Sequence, residues 1–333
     1  MKIGVLPKSL VMVALMSCWA NSQEPASPAK NVDASRPVKL SLIVTDRSNH
    51  SVDNVSKDAI ELLEDSVPQT VTTLSKDNRP ADYAVAIDTT GSVRDLLKHE
   101  IEAVQLLINQ DNPANEIFIE RFVSSSKIET VQEFTSDRRK LIDALDTLYV
   151  EEGQSAVIDG VYLAVKHVAE HRPGPDRRRA VVVITDGEDR NSYYNESRLL
   201  ELIRATDVQV FVIGIVDLLD DRPRSNGPSS KDAAEKLLTS LARESGGRVF
   251  FPKNVKEVRQ AVTEILHDLN EQFLIVYQST GNSSTDNFRK IALKIPATRD
   301  GQDFKAVIRP GYFLNPPELE SLEKEKKKKK KAE

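Results

Sequence analysis

The chain has 333 residues, of which 39% are hydrophobic, 29% charged and 5% aromatic. This composition is typical of a globular protein and excludes wholesale disorder, a collagen-like fibre and a protein with many membrane spans. The 46 basic and 51 acidic residues give a net charge of -5, although both ends of the chain are basic. The acidic remainder argues against nucleic acid as the main partner and is compatible with a bound metal cation.

The first 22 residues have the order of a secretory signal peptide. Lys2 and Lys8 precede or flank an apolar run at 10–16, and small residues follow it. That run is too short for a membrane-spanning helix, which needs about 20 residues. We therefore predict a signal peptide at 1–22 and an exported protein, located in the periplasm, in the cell envelope or outside the cell. The residues before the single cysteine, Cys18, also resemble a lipoprotein cleavage box, so lipid anchoring at Cys18 remains an alternative.

The segment after the signal is predicted to contain a linker and then short strands. Residues 23–37 are rich in Pro, Ser and Ala and show no periodicity, which is typical of a linker. Alternating polar and apolar residues predict an N-terminal β segment at 38–80, with a turn at Val67 and Pro68. The predicted strands of this segment are 38–46, 58–65 and 69–74.

From residue 81 the pattern changes to alternating strands and helices. Continuous β-branched runs, such as 180–186, are typical of the central strands of a parallel sheet. The predicted strands are 83–88, 116–123, 128–134, 180–186, 208–216 and 247–251. The predicted helices are 94–109, 138–148, 156–170, 197–205, 231–244 and 255–269. Strands separated by helices predict an α/β fold at 81–270, with a doubly wound, Rossmann-like, mostly parallel sheet and helices on both faces.

Strand-like alternation returns in the C-terminal β segment, 271–316, with predicted strands at 273–279, 288–295 and 304–309. Each β segment offers only about three strands, which is marginal for an independent sheet. We therefore predict that 271–316 pairs with 38–80 in a small all-β, sandwich-like domain into which the α/β domain is inserted. Two separate β appendages are the alternative.

The C-terminal segment, 317–333, is rich in lysine and is predicted to be disordered. Lys326 to Lys331 are six consecutive lysines, which repel one another. A solvated end is one interpretation of this run. Association with an anionic envelope surface is the other.

Oxygen-bearing side chains follow two predicted strands and precede one helix. Asp88, Thr90 and Ser92 come after the first strand of the α/β segment, Ser155 precedes a helix, and Asp186 ends a central strand. Because ligands of open α/β sheets bind beyond the carboxyl ends of the strands, we expect these side chains to converge. An oxygen-only set suits a hard cation, Mg²⁺ first and Mn²⁺ or Ca²⁺ as alternatives. With few carboxylates the ion stays electron-poor and favours an acidic side chain of a partner.

These five residues resemble the MIDAS (metal-ion-dependent adhesion site) motif of von Willebrand factor type A domains. The family pattern is Asp-x-Ser-x-Ser, then a distant Thr and a distant Asp, and the resemblance covers 81 to about 270. It implies that Thr90, Ser92 and Ser155 bind the metal directly, whereas Asp88 and Asp186 act through water. Thr90 and Ser155 replace the family's Ser and Thr. Both keep the hydroxyl, but Ser155 lacks the threonine methyl, which bears on affinity.

The wider chain is similar to a bacterial group of secreted von Willebrand factor A-related proteins. The resemblance implies a non-enzymatic, metal-dependent protein-binding or adhesion module whose ion is completed by an Asp or Glu of the partner. Its oligomeric state stays open. Four other acids lie near the motif. Asp159 is a candidate hydrogen-bond partner of Ser155, Asp217 a candidate metal-site neighbour, and Glu188 and Asp189 are interpreted as solvated.

A hydrolase is the alternative class of function. The residues from His167 to His171 read H-V-A-E-H, which matches the inverted zinc-protease motif with Glu170 as the base. No clear downstream glutamate helix supplies a third ligand, and a polar helix end is the competing interpretation. A structural envelope protein, in which the metal only braces loops, is the third possibility.

Overall fold

The computed structural model describes residues 1, 37–171, 174, 176–223, 227–280, 287–296 and 303–319. The predicted signal peptide apart from Met1, the predicted linker up to residue 36 and most of the Lys-rich C-terminal segment lie outside the described residues. All described residues after Met1 belong to one compact unit. None of the described helices is both long and apolar enough to cross a membrane.

The strands and α-helices of the described residues are numbered here along the chain. The strands are β1 (Pro37–Thr45), β2 (Glu61–Glu64), β3 (Val67–Gln69), β4 (Val71–Asp77), β5 (Ala81–Asp88), β6 (Glu116–Ser124), β7 (Lys127–Thr135), β8 (Arg178–Thr185), β9 (Val208–Gly214), β10 (Val249–Phe250), β11 (Gln272–Gln278), β12 (Phe288–Lys294), β13 (Lys305–Val307) and β14 (Gly311–Phe313). The helices are α1 (Leu97–Gln110), α2 (Arg138–Leu145), α3 (Val157–Glu170), α4 (Glu196–Ala205), α5 (Ser230–Ser245) and α6 (Val255–Glu271).

A six-stranded sheet in the order β10-β9-β8-β5-β6-β7 forms the centre of the α/β part. All neighbouring strands pair in parallel except β7, which pairs antiparallel with β6 at one edge. The central strands β5 and β9 consist entirely of buried residues, because helices cover both faces. Apolar residues of α3, α4 and α5 pack on one face, and those of α1, α2 and α6 pack on the other. The predicted α/β fold class is therefore confirmed.

Two four-stranded sheets, in the orders β13-β1-β11-β4 and β14-β12-β2-β3, are built from strands that flank the α/β part. β1 pairs antiparallel with β11, and β2 pairs antiparallel with β12. Each sheet therefore combines strands that precede and strands that follow the α/β part in sequence, and the two kinds alternate in the first sheet. A separate apolar core unites the two sheets and includes Leu42, Leu62, Ile275 and Tyr277. We refer to these two sheets as the β module.

The turn predicted at Val67 and Pro68 is wrong by two residues. Asp65 and Ser66 form the turn, with φ of 48° and 69°, and Val67–Gln69 is strand β3. Positive φ at two successive positions defines the tight hairpin turn whose twist suits antiparallel strands. Pro68 lies in an edge strand, where the missing N–H costs no ladder hydrogen bond. Near the C-terminus, the predicted strand at 304–309 is limited to β13, and β14 was not predicted.

The connections between the α/β part and the β module lie at one edge of the central sheet. β4 ends at Asp77 and β5 begins at Ala81, so the chain enters at the amino end of β5. It leaves where α6 ends at Glu271 and β11 begins at Gln272. The Arg178 guanidinium at the start of β8 donates to the carbonyls of Asp268 and Leu269 on α6. The carboxyl ends of β5 and β8 therefore face away from both connections.

Candidate metal centre

Asp88, the last residue of β5, is the centre of a cluster of hydroxyl groups. Its side chain is fully buried. Its Oδ1 accepts hydrogen bonds from the Thr90 hydroxyl at 2.7 Å and the Thr90 backbone N–H at 3.0 Å. Its Oδ2 accepts from Ser155 at 3.1 Å and from Thr185 at 2.8 Å. Hydroxyls from three separate segments of the chain thus converge on one carboxylate.

The loop after β5 is shaped so that a second loop can lie against it. A short 3-10 helix at Gly91–Val93 turns the chain, and the Thr90 and Ser92 hydroxyl oxygens are 3.0 Å apart. The backbone N–H of Glu151 donates to the carbonyl of Thr89 at 2.9 Å. A Cβ on Gly91 would lie 2.8 Å from a carboxylate oxygen of Glu152. A side chain at position 91 would therefore displace the exposed Glu152 carboxylate from its present position beside the first loop.

Asp186 follows β8 and lies at the same edge of the sheet. Its side chain is buried, and its Oδ1 accepts the backbone N–H of Glu188 at 2.9 Å. Burial and then the negative charge of Asp186 raise the pKa of Asp88 to about 6. Two buried carboxylates that repel each other provide an environment that a divalent cation would stabilise. The residues present therefore fit a metal ion in both donor chemistry and charge.

A cavity of about 210 Å³ opens at this cluster. Four of the five residues predicted as metal ligands line it, namely Thr90, Ser92, Ser155 and Asp186. Asp88 is not among the lining residues, because it lies buried behind the hydroxyls that it orients. Ser92 is exposed at the mouth. The structure thus brings together all five residues that the sequence singled out.

Residues outside the motif hold these loops in place. Thr185 was not predicted as a site residue, although it precedes Asp186 directly and donates to Asp88. The carboxylate of Asp159 accepts the backbone N–H groups of Tyr193 and Tyr194 at 2.7 and 2.8 Å. Asp189 accepts the backbone N–H of Ile158 at 3.1 Å, so it caps the start of α3.

The four additional acids of the sequence analysis have definite partners. Asp159, considered there as a partner of Ser155, bonds to backbone groups of the loop after β8 instead. Asp189 is part of the same loop attachment, and Asp217 pairs with Lys231. Glu188 pairs with Arg190 at 2.6 Å and lines the cavity. On the opposite side of the mouth Glu152 pairs with Arg94 at 2.6 Å, so both acids at the mouth have arginine partners.

The histidine motif of the hydrolase alternative lies at the other end of α3. His167 is twelve residues beyond Ser155, which corresponds to about 18 Å along a helix. Its ring stacks on Phe118 with centroids 4.2 Å apart, and the His171 ring stacks on Phe134 at 3.8 Å. Glu170 lies 3.9 Å from Lys166 in an exposed helical pair. These contacts are packing and surface ion pairs, and they give the hydrolase alternative no support.

A family model identifies the class of protein to which the chain belongs. The model of the von Willebrand factor type A domain matches residues 82–272, which is more than half of the 333 residues. The chain therefore belongs to the von Willebrand factor type A domain family. Domains of this family bind a divalent metal at the MIDAS and commonly mediate protein–protein interaction.

Solved structures with detectable similarity come from several organisms. An aerotolerance-related membrane protein from Bacteroides fragilis is 18% identical, with a TM-score of 0.44, over 56% of this chain and 98% of that chain. A von Willebrand factor type A protein from Catenulispora acidiphila is 9% identical, with a TM-score of 0.47, over 75% and 73%. Proximal thread matrix protein 1 from the mussel byssus, with a zinc-occupied MIDAS motif, is 16% identical, with a TM-score of 0.47, over 63% and 50%. No curated protein matches the chain.

Proposed function

We propose that this protein is an exported binding module that holds a divalent cation at Asp88, Thr90, Ser92, Ser155 and Asp186. A protein partner binds by placing an Asp or Glu side chain on the same cation. The observation that carries this proposal is the convergence of the Thr90, Ser155 and Thr185 hydroxyls on the buried Asp88 carboxylate. The cavity in front of this carboxylate opens to solvent, where a partner has access.

The positions of the side chains support different roles for the five residues, as direct ligands of the ion or as groups that act indirectly. Thr90, Ser92 and Ser155 line the cavity and would bind the ion directly. Asp88 lies behind them, and its hydrogen bonds turn the hydroxyl hydrogens of Thr90 and Ser155 toward itself and their lone pairs toward the cavity. The Ser92 hydroxyl instead lies 3.0 Å from that of Thr90. Asp186 adds negative charge at the wall. A hard ion, Mg²⁺ first and Mn²⁺ or Ca²⁺ next, suits this oxygen-only set.

The charges at the mouth support a carboxylate from outside the chain as the completing ligand. Direct ligands that are neutral hydroxyls leave most of the ion's positive charge uncompensated. The two acids at the mouth, Glu152 and Glu188, are engaged by Arg94 and Arg190. A partner carboxylate therefore meets an electron-poor ion. Because domains of this family typically serve as interaction modules, a binding role is favoured over catalysis.

Capture of partners from an envelope extract, with and without EDTA, tests this function. We expect capture by the wild-type protein with Mg²⁺, loss of capture with EDTA, and recovery when Mg²⁺ is added in excess. Asp88→Ala and Ser92→Ala are expected to abolish capture even with Mg²⁺. Asp143→Ala, which changes an exposed acid on α2, is the matched control and is expected to behave like wild type.

Two outcomes would count against the proposal. Capture that resists EDTA and survives Ser92→Ala would show that the partner does not bind through the metal. A lower melting temperature of Ser92→Ala with unchanged capture would assign the metal a purely structural role. Ser92 is exposed, so its replacement separates loss of binding from loss of folding better than replacement of buried Asp88.

The sequence of the first 22 residues supports the proposed export of the protein. We expect the mature protein in the periplasm, the cell envelope or the medium. N-terminal sequencing of the protein from cell fractions checks this directly. Cleavage before Cys18 with a lipid-modified cysteine would select the lipoprotein alternative. An uncleaved chain in the cytosolic fraction would contradict export.

A further inference from the structure

A second cavity lies at the amino edge of the central sheet, between strand β1 of the β module and the start of β8. Its volume is about 190 Å³. Arg178 and Thr185 are the two ends of β8, so about 23 Å of strand separates this cavity from the hydroxyl cluster around Asp88. Six cationic side chains line it, namely Lys39, Arg79, Arg177, Arg178, Arg179 and Arg309. Asp207 also lines the cavity, so the cations outnumber the acids among the lining residues by five, in a chain with a net charge of -5.

Carboxylates fix the orientation of three of these arginines. Arg79 donates from Nε and Nη2 to the two oxygens of Asp77, at 2.8 and 2.7 Å. Arg309 donates to Asp207 at 2.8 Å and to the carbonyls of Arg204 and Thr206 at 2.9 and 3.0 Å.

Arg177 is the third arginine held in this way. Its Nε donates to Asp82 at 2.6 Å, and its Nη2 donates to the carbonyl of Ala114 at 2.9 Å. The three guanidinium groups therefore form part of a preorganised wall, and an incoming ligand does not have to order flexible side chains.

Arg178 is held differently, because its partners are neutral. Its side chain is almost completely buried, and it donates to the backbone carbonyls of Arg79, Asp268 and Leu269. The nearer Asp77 oxygen lies 4.0 Å from its Nε, beyond hydrogen-bond distance. Burial lowers the pKa of Arg178 to about 10; the charge of Asp77 opposes this shift, and the charge of Arg79 adds to it. An anion in the cavity would supply the charge that these carbonyls do not.

We propose that this cavity binds a tetrahedral oxyanion, a phosphate or sulfate group. The planar guanidinium matches the geometry of such oxygens, and several arginines around one site suit a doubly charged group better than a single carboxylate. The volume is several times the roughly 30 Å³ that one water occupies, so the group fits together with ordered water. The Ser41 hydroxyl on β1 also lines the cavity. Both free phosphate and a phosphate ester of an envelope molecule carry this chemistry.

Calorimetric and thermal titration of the full chain with sodium phosphate, at ionic strength matched with sodium chloride, tests the site. We expect saturable binding and a melting temperature raised by about 5 °C at saturation. Sulfate is expected to act in the same way, whereas acetate is expected to give little effect. Glycerol phosphate distinguishes a phosphate ester from free phosphate as the ligand. Tighter binding than that of inorganic phosphate would favour an ester, and weaker binding would favour the free ion.

Lys39→Glu places a carboxylate at the exposed wall of the cavity without disturbing a buried arginine. We expect it to weaken phosphate binding at least tenfold, whereas Lys236→Glu, with the same charge change on exposed α5, leaves binding unchanged. Ser92→Ala keeps the full response, which separates this cavity from the metal site. Chloride-matched titrations without saturation, or equal weakening by Lys39→Glu and Lys236→Glu, would overturn the proposal.

Discussion

Asp88 shows how one buried side chain organises a site from distant parts of the sequence. Its two oxygens accept hydrogen bonds from residues 90, 155 and 185. Thr90 and Ser155 use their hydroxyl hydrogens in these bonds, so each oxygen keeps a lone pair for another ligand, whereas Thr185 also accepts the backbone N–H of Gly187. The carboxylate therefore determines which way the hydroxyls face, even though it does not line the cavity itself.

Replacing Ser155 with Ala is expected to weaken binding of Mg²⁺ or Mn²⁺ at least about tenfold. The substitution removes one oxygen from the cavity wall and one donor from Asp88, while Thr185 still donates to the same carboxylate oxygen and Thr90 to the other. Titration calorimetry with each ion measures the change. Ser126→Ala, which removes an exposed hydroxyl at the turn between β6 and β7, is the control. Equal affinities of the two variants would show that Ser155 is no ligand.

Glu120 is a buried acid on β6 that has a measurable effect on stability. It lies on the strand face that also carries Phe118 and Phe122, and its Oε1 has no hydrogen-bond partner among the described residues. Burial raises its pKa from 4.5 to about 8. Between these pH values the unfolded chain ionises Glu120 while the folded protein keeps it protonated. Its contribution to stability therefore falls as the pH rises through this window.

Glu120→Gln is expected to remove this pH dependence. The stability of the variant relative to wild type should therefore increase from pH 5 to pH 8. Glu120 can change the free energy of unfolding by at most about 1.4 kcal/mol per pH unit. Urea unfolding of both proteins at several pH values between 5 and 8 measures the difference. Parallel curves for wild type and variant would show that Glu120 ionises normally in the folded protein.

The site residues that the sequence could reveal are those whose positions follow from strand ends. Asp88 and Asp186 end strands of continuous apolar residues, so their approach at one edge follows from a parallel sheet alone. The roles of Thr185, Asp159 and Asp189 could not be derived in this way. Their partners are hydroxyl and backbone groups whose positions depend on the path of irregular loops, which residue periodicity does not encode.

Ser66 offers a test at the scale of one hairpin. The residue has a φ of 69° in the turn between β2 and β3, a conformation that costs a residue with a Cβ about 1 kcal/mol more than glycine. Ser66→Gly is expected to stabilise the protein by about 0.5–1 kcal/mol, and Ser66→Val to destabilise it. Urea unfolding midpoints measure both. A destabilising glycine would mean that the side chain contributes more than its backbone strain costs.

The same hairpin shows why element boundaries were harder to predict than the elements. Because proline is a turn former, the local sequence predicts a turn at Val67 and Pro68. The adjacent Asp65 bonds through its side chain to Arg289 and to the backbone N–H of Lys290 on β12. These contacts come from a strand more than two hundred residues later. They favour a turn two residues earlier, and no local sequence pattern could show this.

At the scale of the whole molecule, the strand count of each flank predicted a joint β domain, but not its strand order. β11 lies between β1 and β4, with Ile275 and Tyr277 buried. Such a sheet is assembled from segments about two hundred residues apart, and its register depends on side-chain packing. Composition and periodicity identify the strands, but they do not show which strands pair with each other.

Removal of residues 1–80 is expected to unfold the C-terminal flank. β11 would lose both neighbouring strands and β12 would lose β2, which exposes the apolar face of the β module. We expect the chain 81–319 to aggregate and to lose amide protection in β11 and β12, whereas 37–319 stays monodisperse. Size-exclusion chromatography and hydrogen exchange measure these effects. Full protection of β11 in the shorter chain would contradict the shared sheet.

Both covalent connections to the β module lie at the end of the central sheet opposite the Asp88 cluster, and this has a mechanical consequence. Tension between a partner held at the cluster and an anchor on the β module would run along the direction of the central strands. The link before β5 and the link after α6 would share the load, and the Arg178 bonds to α6 would brace them. A force parallel to the central strands would therefore load their hydrogen bonds together and would not separate one strand at a time.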